Sequence, residues 1–282
     1  MKKWVAIPVF LFCVTGLFGQ SLFSLVTTGT PEQVQAAIKA GAKLDDRDIN
    51  GLTALMYAAR NNPNPNVITT LLNAGTKLDD RDINGSTALM YAARNNPNPD
   101  VITTLLNAGA KLDDRDINGW TTLMCAASNN PNPNVITTLL NAGAKLDDRD
   151  IYERTVLMCA ANNNQNLEVI TTLLNAGAKL NDRDTYGLTA LMLSAKDNPN
   201  PDVITTLLNA GAKLDDQTSA GLTALMLAAR NNPNPDVITT LLNAGANGKI
   251  TTIEGETAFD YAQDNPKIKG TKAYWELNNQ RF

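Results

Sequence analysis

The chain has 282 residues, a formal net charge of −4 and no histidine. Such a balance argues against nucleic acid or anionic lipid as the main partner, since both are gripped by surplus lysine and arginine. The missing histidine removes the commonest general acid–base group, and no set of carboxylates stands out to replace it, so no catalytic residue is assigned and the chain is not read as an enzyme.

The first element is Met1-Lys2-Lys3 followed by the mostly apolar run WVAIPVFLFCVTGLFG. A basic start, an apolar stretch and a small residue at Gly19 have the form of a secretory signal peptide over residues 1–19. The product is therefore expected to be exported, periplasmic or secreted. The run is short for a transmembrane span, and a repeat follows it at once; an uncleaved signal anchor is the alternative. Cys13 does not point to lipoprotein processing, because Phe12 stands where a small residue is wanted. No integral span is expected once the signal is gone.

From residue 20 onward the sequence repeats. Ala-Gly recurs with its glycine at Gly41, Gly75, Gly109, Gly143, Gly177, Gly211 and Gly245, always 34 residues apart. A fixed period of this size marks a solenoid, in which each unit buries its apolar face on its neighbours. Residues 20–49 form an opening cap. Six full units follow at 50–83, 84–117, 118–151, 152–185, 186–219 and 220–253, and residues 254–282 close the stack. In the opening cap, Thr30-Pro31-Glu32-Gln33 is a capping-box pattern. Aligned through Gly41, Gln33 and Ala37 replace Val67 and Leu71, as a more polar outer face requires. In the closing cap Asp260 and Gln263 replace Met226 and Ala229, and Phe259, Tyr274 and Trp275 are expected to seal the last core layer.

One unit, represented by Gly51–Asn84, resolves into helix, loop, helix and turn. At ~100° per residue Leu55, Ala58, Ala59 and Asn62 share one side of the first helix, with Thr53, Tyr57, Arg60 and Asn61 opposite. In the second helix Val67, Ile68, Leu71, Leu72 and Ala74 cover a wide apolar arc, leaving Thr69, Thr70 and Asn73 outside. Asn64-Pro65 supplies an N-cap followed by proline at the first helical position. Gly75 suits a left-handed stop. The following LDDRDING reads as a polar reversal, with Asn-Gly at a tip that needs positive φ.

The blocks G-x-T-A-L-M-x-A-A, V-I-x-x-L-L-x-A-G-A and D-x-x-G, in that order and recurring six-fold from about Ser21 onward, resemble the ankyrin repeat. The resemblance implies an all-α ankyrin solenoid of about eight helix-turn-helix repeats, six full ones plus divergent caps, joined by hairpin-like turns. It also implies a non-enzymatic scaffold that binds a protein partner through its concave face and carries no cofactor. A structural spacer or envelope component is the competing role, and an enzyme or calcium-binding protein a distant third. Two departures stand out. The family's T-P-L-H is T-A-L-M here, and the NNPNP loop lengthens the unit by one residue over the family's common ~33.

Other patterns admit a functional reading beside a plainer one. Asp46-Arg47-Asp48-Ile49-Asn50-Gly51 copies the first half of a calcium loop and recurs at 80–85 and 114–119. The twelfth position, where a bidentate glutamate belongs, holds Tyr57, Tyr91 and Cys125, so a solvated turn with aspartates on backbone amides is the better reading and no metal is expected. Arg47, Arg81, Arg115, Arg149 and Arg183 form a ladder that could grip phosphates; each is bracketed by aspartates, which favours local ion pairs. Cys125 and Cys159 occupy one place in adjacent units, too far apart for a disulfide, so both are expected to be free.

Variation between units suggests where a partner binds. The position after the turn glycine reads Leu52, Ser86, Trp120, Arg154, Leu188, Leu222, Glu256, and the turn tip reads Asn50, Asn84, Asn118, Tyr152, Tyr186, Ala220, Glu254. Packing should leave both columns free. Tyr57, Tyr91, Arg60, Arg94 and Arg230 lie on the first-helix side opposite the core. Trp, Tyr and Arg carry most interface energy, which points to a protein-binding patch drawn from Tyr57, Tyr91, Trp120, Tyr152, Arg154 and Tyr186, centred on the last four.

Overall fold

A computed structural model of the chain describes residues 21–280; the signal-peptide reading of residues 1–19 lies outside them. The described residues form sixteen helices and one isolated bridge, Arg149 to Thr155. They run as eight pairs: α1 Leu22–Thr28 with α2 Pro31–Lys39, α3 Ala54–Asn61 with α4 Pro65–Asn73, α5 Ala88–Asn95 with α6 Pro99–Asn107, α7 Thr122–Asn129 with α8 Pro133–Asn141. The second half continues with α9 Val156–Asn163 and α10 Leu167–Asn175, α11 Ala190–Asp197 and α12 Pro201–Asn209, α13 Ala224–Asn231 and α14 Pro235–Asn243, α15 Ala258–Ala262 and α16 Lys272–Asn279. No helix among the described residues is long and apolar enough to cross a membrane.

From α3 to α13 each first helix starts at a threonine whose hydroxyl accepts from the amide three residues on, as Thr53 does from Met56 and Thr121 from Met124. These threonines are buried, so Thr53 belongs to the core side and not, as its helical angle suggests, to the outer face. It precedes the helix and lies in extended backbone, where the helical wheel does not apply. Ala54, Leu55, Met56, Ala58 and Ala59 are all buried, a wider face than the wheel predicts, because neighbouring units cover it from both sides. From α4 to α14 the second helices bury Val67, Ile68 and Leu71 or their equivalents, each worth about 1.5–3 kcal/mol of transfer from water. Small alanines let the first helices of successive units pack more closely together than the second helices do. The stack therefore curves toward the first helices and the turns.

Two ladders stitch unit to unit. Asn62, Asn96, Asn130, Asn164, Asn198, Asn232 and Asn265 are buried just past the first helices. Each donates both amide hydrogens to two carbonyls of the preceding unit, as Asn130 does to Ala93 O and Asn96 O at 2.8 Å. The second ladder is the arginine series. Arg47 Nη1 donates to Gly51 O in its own turn and to Arg81 O in the next, while its Nη2 meets Asp80 at 2.6 Å. Arg81–Asp114, Arg115–Asp148, Arg149–Asp182 and Arg183–Asp216 repeat the pair at 2.5–2.7 Å. The arginines thus pair across the repeat boundary, and not with the aspartates flanking them in sequence.

The turns do reverse at glycine. Gly51 has φ +80°, and an added Cβ would come within 3.2 Å of Ile83 N, which donates to Asn50 O at 3.0 Å. The opening cap is built as expected, with Thr30 and Gln33 in a reciprocal capping box. The closing cap departs at one residue. Phe259 is buried and packs tilted on Tyr274 at 4.9 Å, as expected, but Trp275 is 56% exposed; Ile268, Ala273 and Leu277 complete the seal. Trp275 lies one position off the buried stripe of α16, between Ala273 and Leu277.

Candidate functional site

The inner surface is built from four columns that run along the stack, and an aspartate in each of the first five turns, replaced by Thr218 and Thr252 in the last two, organises them. Asp48 Oδ1 accepts the amides of Asn50 and Leu52, and Asp82 does the same for Asn84 and Ser86. Several of these aspartates are not solvated, as a polar reversal suggests: Asp82, Asp150 and Asp184 are buried. Burial pushes the Asp48 carboxyl upward, but the Leu52 amide, the Tyr57 hydroxyl and the Asn50 amide outweigh it and hold it below its ordinary value. The ligands of Asp48 and Asp82 are backbone amides and a phenol.

Tyr57 and Tyr91 take part in this arrangement. Their hydroxyls donate to Asp48 Oδ2 at 2.9 Å and Asp82 Oδ2 at 2.7 Å, and both rings are half-buried. Burial, reinforced by Asp82, raises the Tyr91 phenol far above its usual range. These two residues brace turns as well as lining the surface. In α7 and α9 the tyrosine gives way to Cys125 and Cys159, which are free and buried. Burial pushes their thiols up to about 11 and about 12.

The column after the turn glycine compensates for that loss. Where the helix carries tyrosine, this column holds Leu52 and Ser86, both only 5% exposed; where it carries cysteine, the column holds Trp120 and Arg154. Arg154 takes over the missing phenol, with Nε and Nη2 both 2.7 Å from Asp150 Oδ2. The column is therefore not free of packing, and part of its variation is an exchange of volume and hydrogen bonding with the helix. Sequence comparison of the columns one by one misses this coupling; reading them in pairs would have found it.

The turn tips are different. Tyr152 and Tyr186 are 41% and 65% exposed, with ring centroids 6.4 Å apart, and neither makes a side-chain hydrogen bond among the described residues. Arg154 lies over the Tyr152 ring at 5.3 Å and over the Trp120 ring at 5.7 Å, and Arg94 also lies over the Trp120 ring at 5.8 Å. Trp120, Arg154, Tyr152 and Tyr186 thus form one continuous surface, as the sequence grouping expects, with Arg94 extending it. Tyr57 and Tyr91 lie toward the opening end, where Tyr57 packs on Phe23 at 5.1 Å. A hollow opens beside the tyrosine pair, lined by Tyr152, Arg154, Tyr186, Leu188, Leu193 and Lys196.

The turn at this surface is also the one that departs from the rest. Glu153 occupies the tip position held elsewhere by glycine, and at φ 60° it is the one non-glycine residue with positive φ among the described residues. A side chain there is strained. Another feature escapes sequence reading: Ile49, Ile83, Ile117 and Ile151 stand exposed in file along the tips, and Ile253 repeats them near the closing end. Their period is visible, but the segment reads as a polar turn.

The family profile described as "Ankyrin repeats (3 copies)" matches residues 22–116, 96–184, 164–252 and 191–269. Among solved structures, the human ASB11 ankyrin repeat domain superposes with a TM-score of 0.67 at 24% identity, covering 80% of this chain and 96% of that one. At that identity the likeness is one of fold. No curated protein sequence matches.

Proposed function

The chain belongs to the ankyrin-repeat family, whose repeats generally mediate protein–protein interaction, and from that premise we propose that it is a non-enzymatic scaffold binding a partner protein on its concave face. The observation that carries the reading is the exposed, stacked pair Tyr152–Tyr186 at the end of a continuous aromatic and guanidinium surface. Large aromatics rarely stay in water without a role, and Trp, Tyr and Arg dominate the energetics of protein contacts. The strained tip at Glu153, next to Tyr152, supports it, since strain that glycine would relieve tends to persist where function demands a shape.

The structure guides the choice of variants. Removing Arg154 would strip Asp150, whose side chain is fully buried, of its ion pair, so a loss of binding in that variant would be mixed with a loss of stability. Tyr152→Ala with Tyr186→Ala avoids this. We expect the double variant to weaken a captured partner by at least ~2 kcal/mol, read by calorimetry, with a melting curve nearly unchanged. Undiminished affinity would move the site elsewhere. The absence of any saturable partner would favour the spacer role, which the two inter-unit ladders suit.

Export completes the proposal. It rests on the basic start and apolar run of residues 1–19, and N-terminal sequencing of protein from the producing cell is expected to begin near residue 20. Intact Met1 on a membrane-bound product would replace it with the anchor.

A further inference from the structure

The pairing of the arginines indicates what chemistry a partner brings to this surface, if the protein-binding reading above holds. Among the described residues the turn arginines each hold a carboxylate at 2.5–2.7 Å, and Arg154 holds Asp150 at 2.7 Å. Arg60, Arg94 and Arg230, at the C-terminal ends of α3, α5 and α13, hold none within 4.0 Å; of these Arg60 and Arg94 stand in adjacent units. Arg60 is exposed and makes no hydrogen bond. Arg94 is half-buried: Nη2 donates only to Cys125 Sγ at 3.3 Å, Nε has no acceptor, and the guanidinium lies over Trp120. The charge of Asp116 acts on Arg94 from a distance, but the two form no ion pair within 4.0 Å, and Asp116 Oδ1 accepts the amides of Asn118 and Trp120.

The dipole of each helix accounts for a cation at its C-terminus, but not for desolvating one without a carboxylate in direct contact. We propose that the partner presents an extended, acidic chain segment, whose aspartates or glutamates pair with Arg60 and Arg94 while an adjoining side chain packs on Trp120. The geometry favours carboxylates over phosphate. Phosphate is best held by several converging donors, whereas here one guanidinium is offered per unit. Adjacent units stand roughly 10 Å apart, and three residues of a polyproline II segment span about the same distance while returning the side chain to the same face. Two carboxylates three residues apart would therefore meet two arginines in register.

The test uses the full chain and fluorescein-labelled synthetic peptides carrying a tryptophan and two glutamates spaced two, three or four residues apart. Glutamine and phosphoserine versions serve as comparators, and binding is read by fluorescence anisotropy. The three-residue spacing is expected to bind at least ~10-fold tighter than its glutamine version, and less tightly as salt rises. Arg94→Gln should weaken it by about 10-fold. Since Arg94 is half-buried its melt is checked, and the exposed Arg60→Gln provides an independent variant with the same expected loss. Equal binding of glutamine peptides, indifference to spacing, insensitivity to both arginine variants, preference for phosphoserine, or no binding up to ~1 mM each overturns the proposal. The broader reading fails differently: it falls if a captured partner is indifferent to Tyr152→Ala with Tyr186→Ala, whatever the peptides do.

Discussion

Asn130→Ala should lower the stability of the stack by about 2–5 kcal/mol in urea denaturation, although it deletes only a small polar group. The reason lies in how the first helix ends. Ala93 O would normally accept from the amide four residues on, but that residue is Pro97 and has no N–H to give. Asn96 O is likewise past the end of α5, in extended backbone. Asn130, fully buried, supplies one amide hydrogen to each at 2.8 Å, and its Oδ1 accepts the amide of Asn132 at 2.9 Å. Alanine leaves three polar groups without these partners, two of them in the preceding unit. Because a solenoid is held together by nearest-neighbour interfaces, the loss falls directly on the joint between units. Asn129→Ala, one residue earlier and exposed, is the control and should stay within about 0.5 kcal/mol. A cost below ~1 kcal/mol at Asn130 would mean that water takes the place of the carboxamide.

That asparagine shows where sequence reading reached and where it stopped. Its burial was legible, because Asn62 fell on the core side of the wheel. Its work was not, because the carbonyls it satisfies sit 34 and 37 residues away and no local pattern names them. The same limit explains the arginines: bracketing aspartates were visible, but the partner chosen lies 33 residues on, in the next turn. Periodicity fixes which residues are equivalent, and so it gave the helices, caps and Gly51-type reversals. It does not say which equivalents touch. At the candidate surface the grouping of Trp120, Arg154, Tyr152 and Tyr186 was accessible because neighbours in a repeat register are neighbours in space. The packing duties of Tyr57, Tyr91 and Arg154 were hidden, since each depends on the identity of a second column.

Leu105→Ala should cost ~2–5 kcal/mol by chemical denaturation, while Thr104→Ala stays within about 0.5 kcal/mol. The two residues are adjacent on α6, so propensity and position along the helix are nearly the same for both. What separates them is the face. Leu105 is fully buried among the second helices, with Val101 and Ile102 on the same stripe. Truncation there removes transferred apolar surface and leaves a cavity that α4 and α8, packed on either side, cannot both close. Thr104 is partly exposed, and its hydroxyl donates to Asp100 O at 2.8 Å within its own helix, a carbonyl that the helix already serves. Losing that bond deprives no other unit of a partner. The middle of the stack is the right place for the comparison, because a terminal unit could fray and mask the cost of its own cavity. Equal effects at the two positions would mean that the second helix is rotated from the face assigned to it, and with it the division between the packed stripe and the outer threonine face.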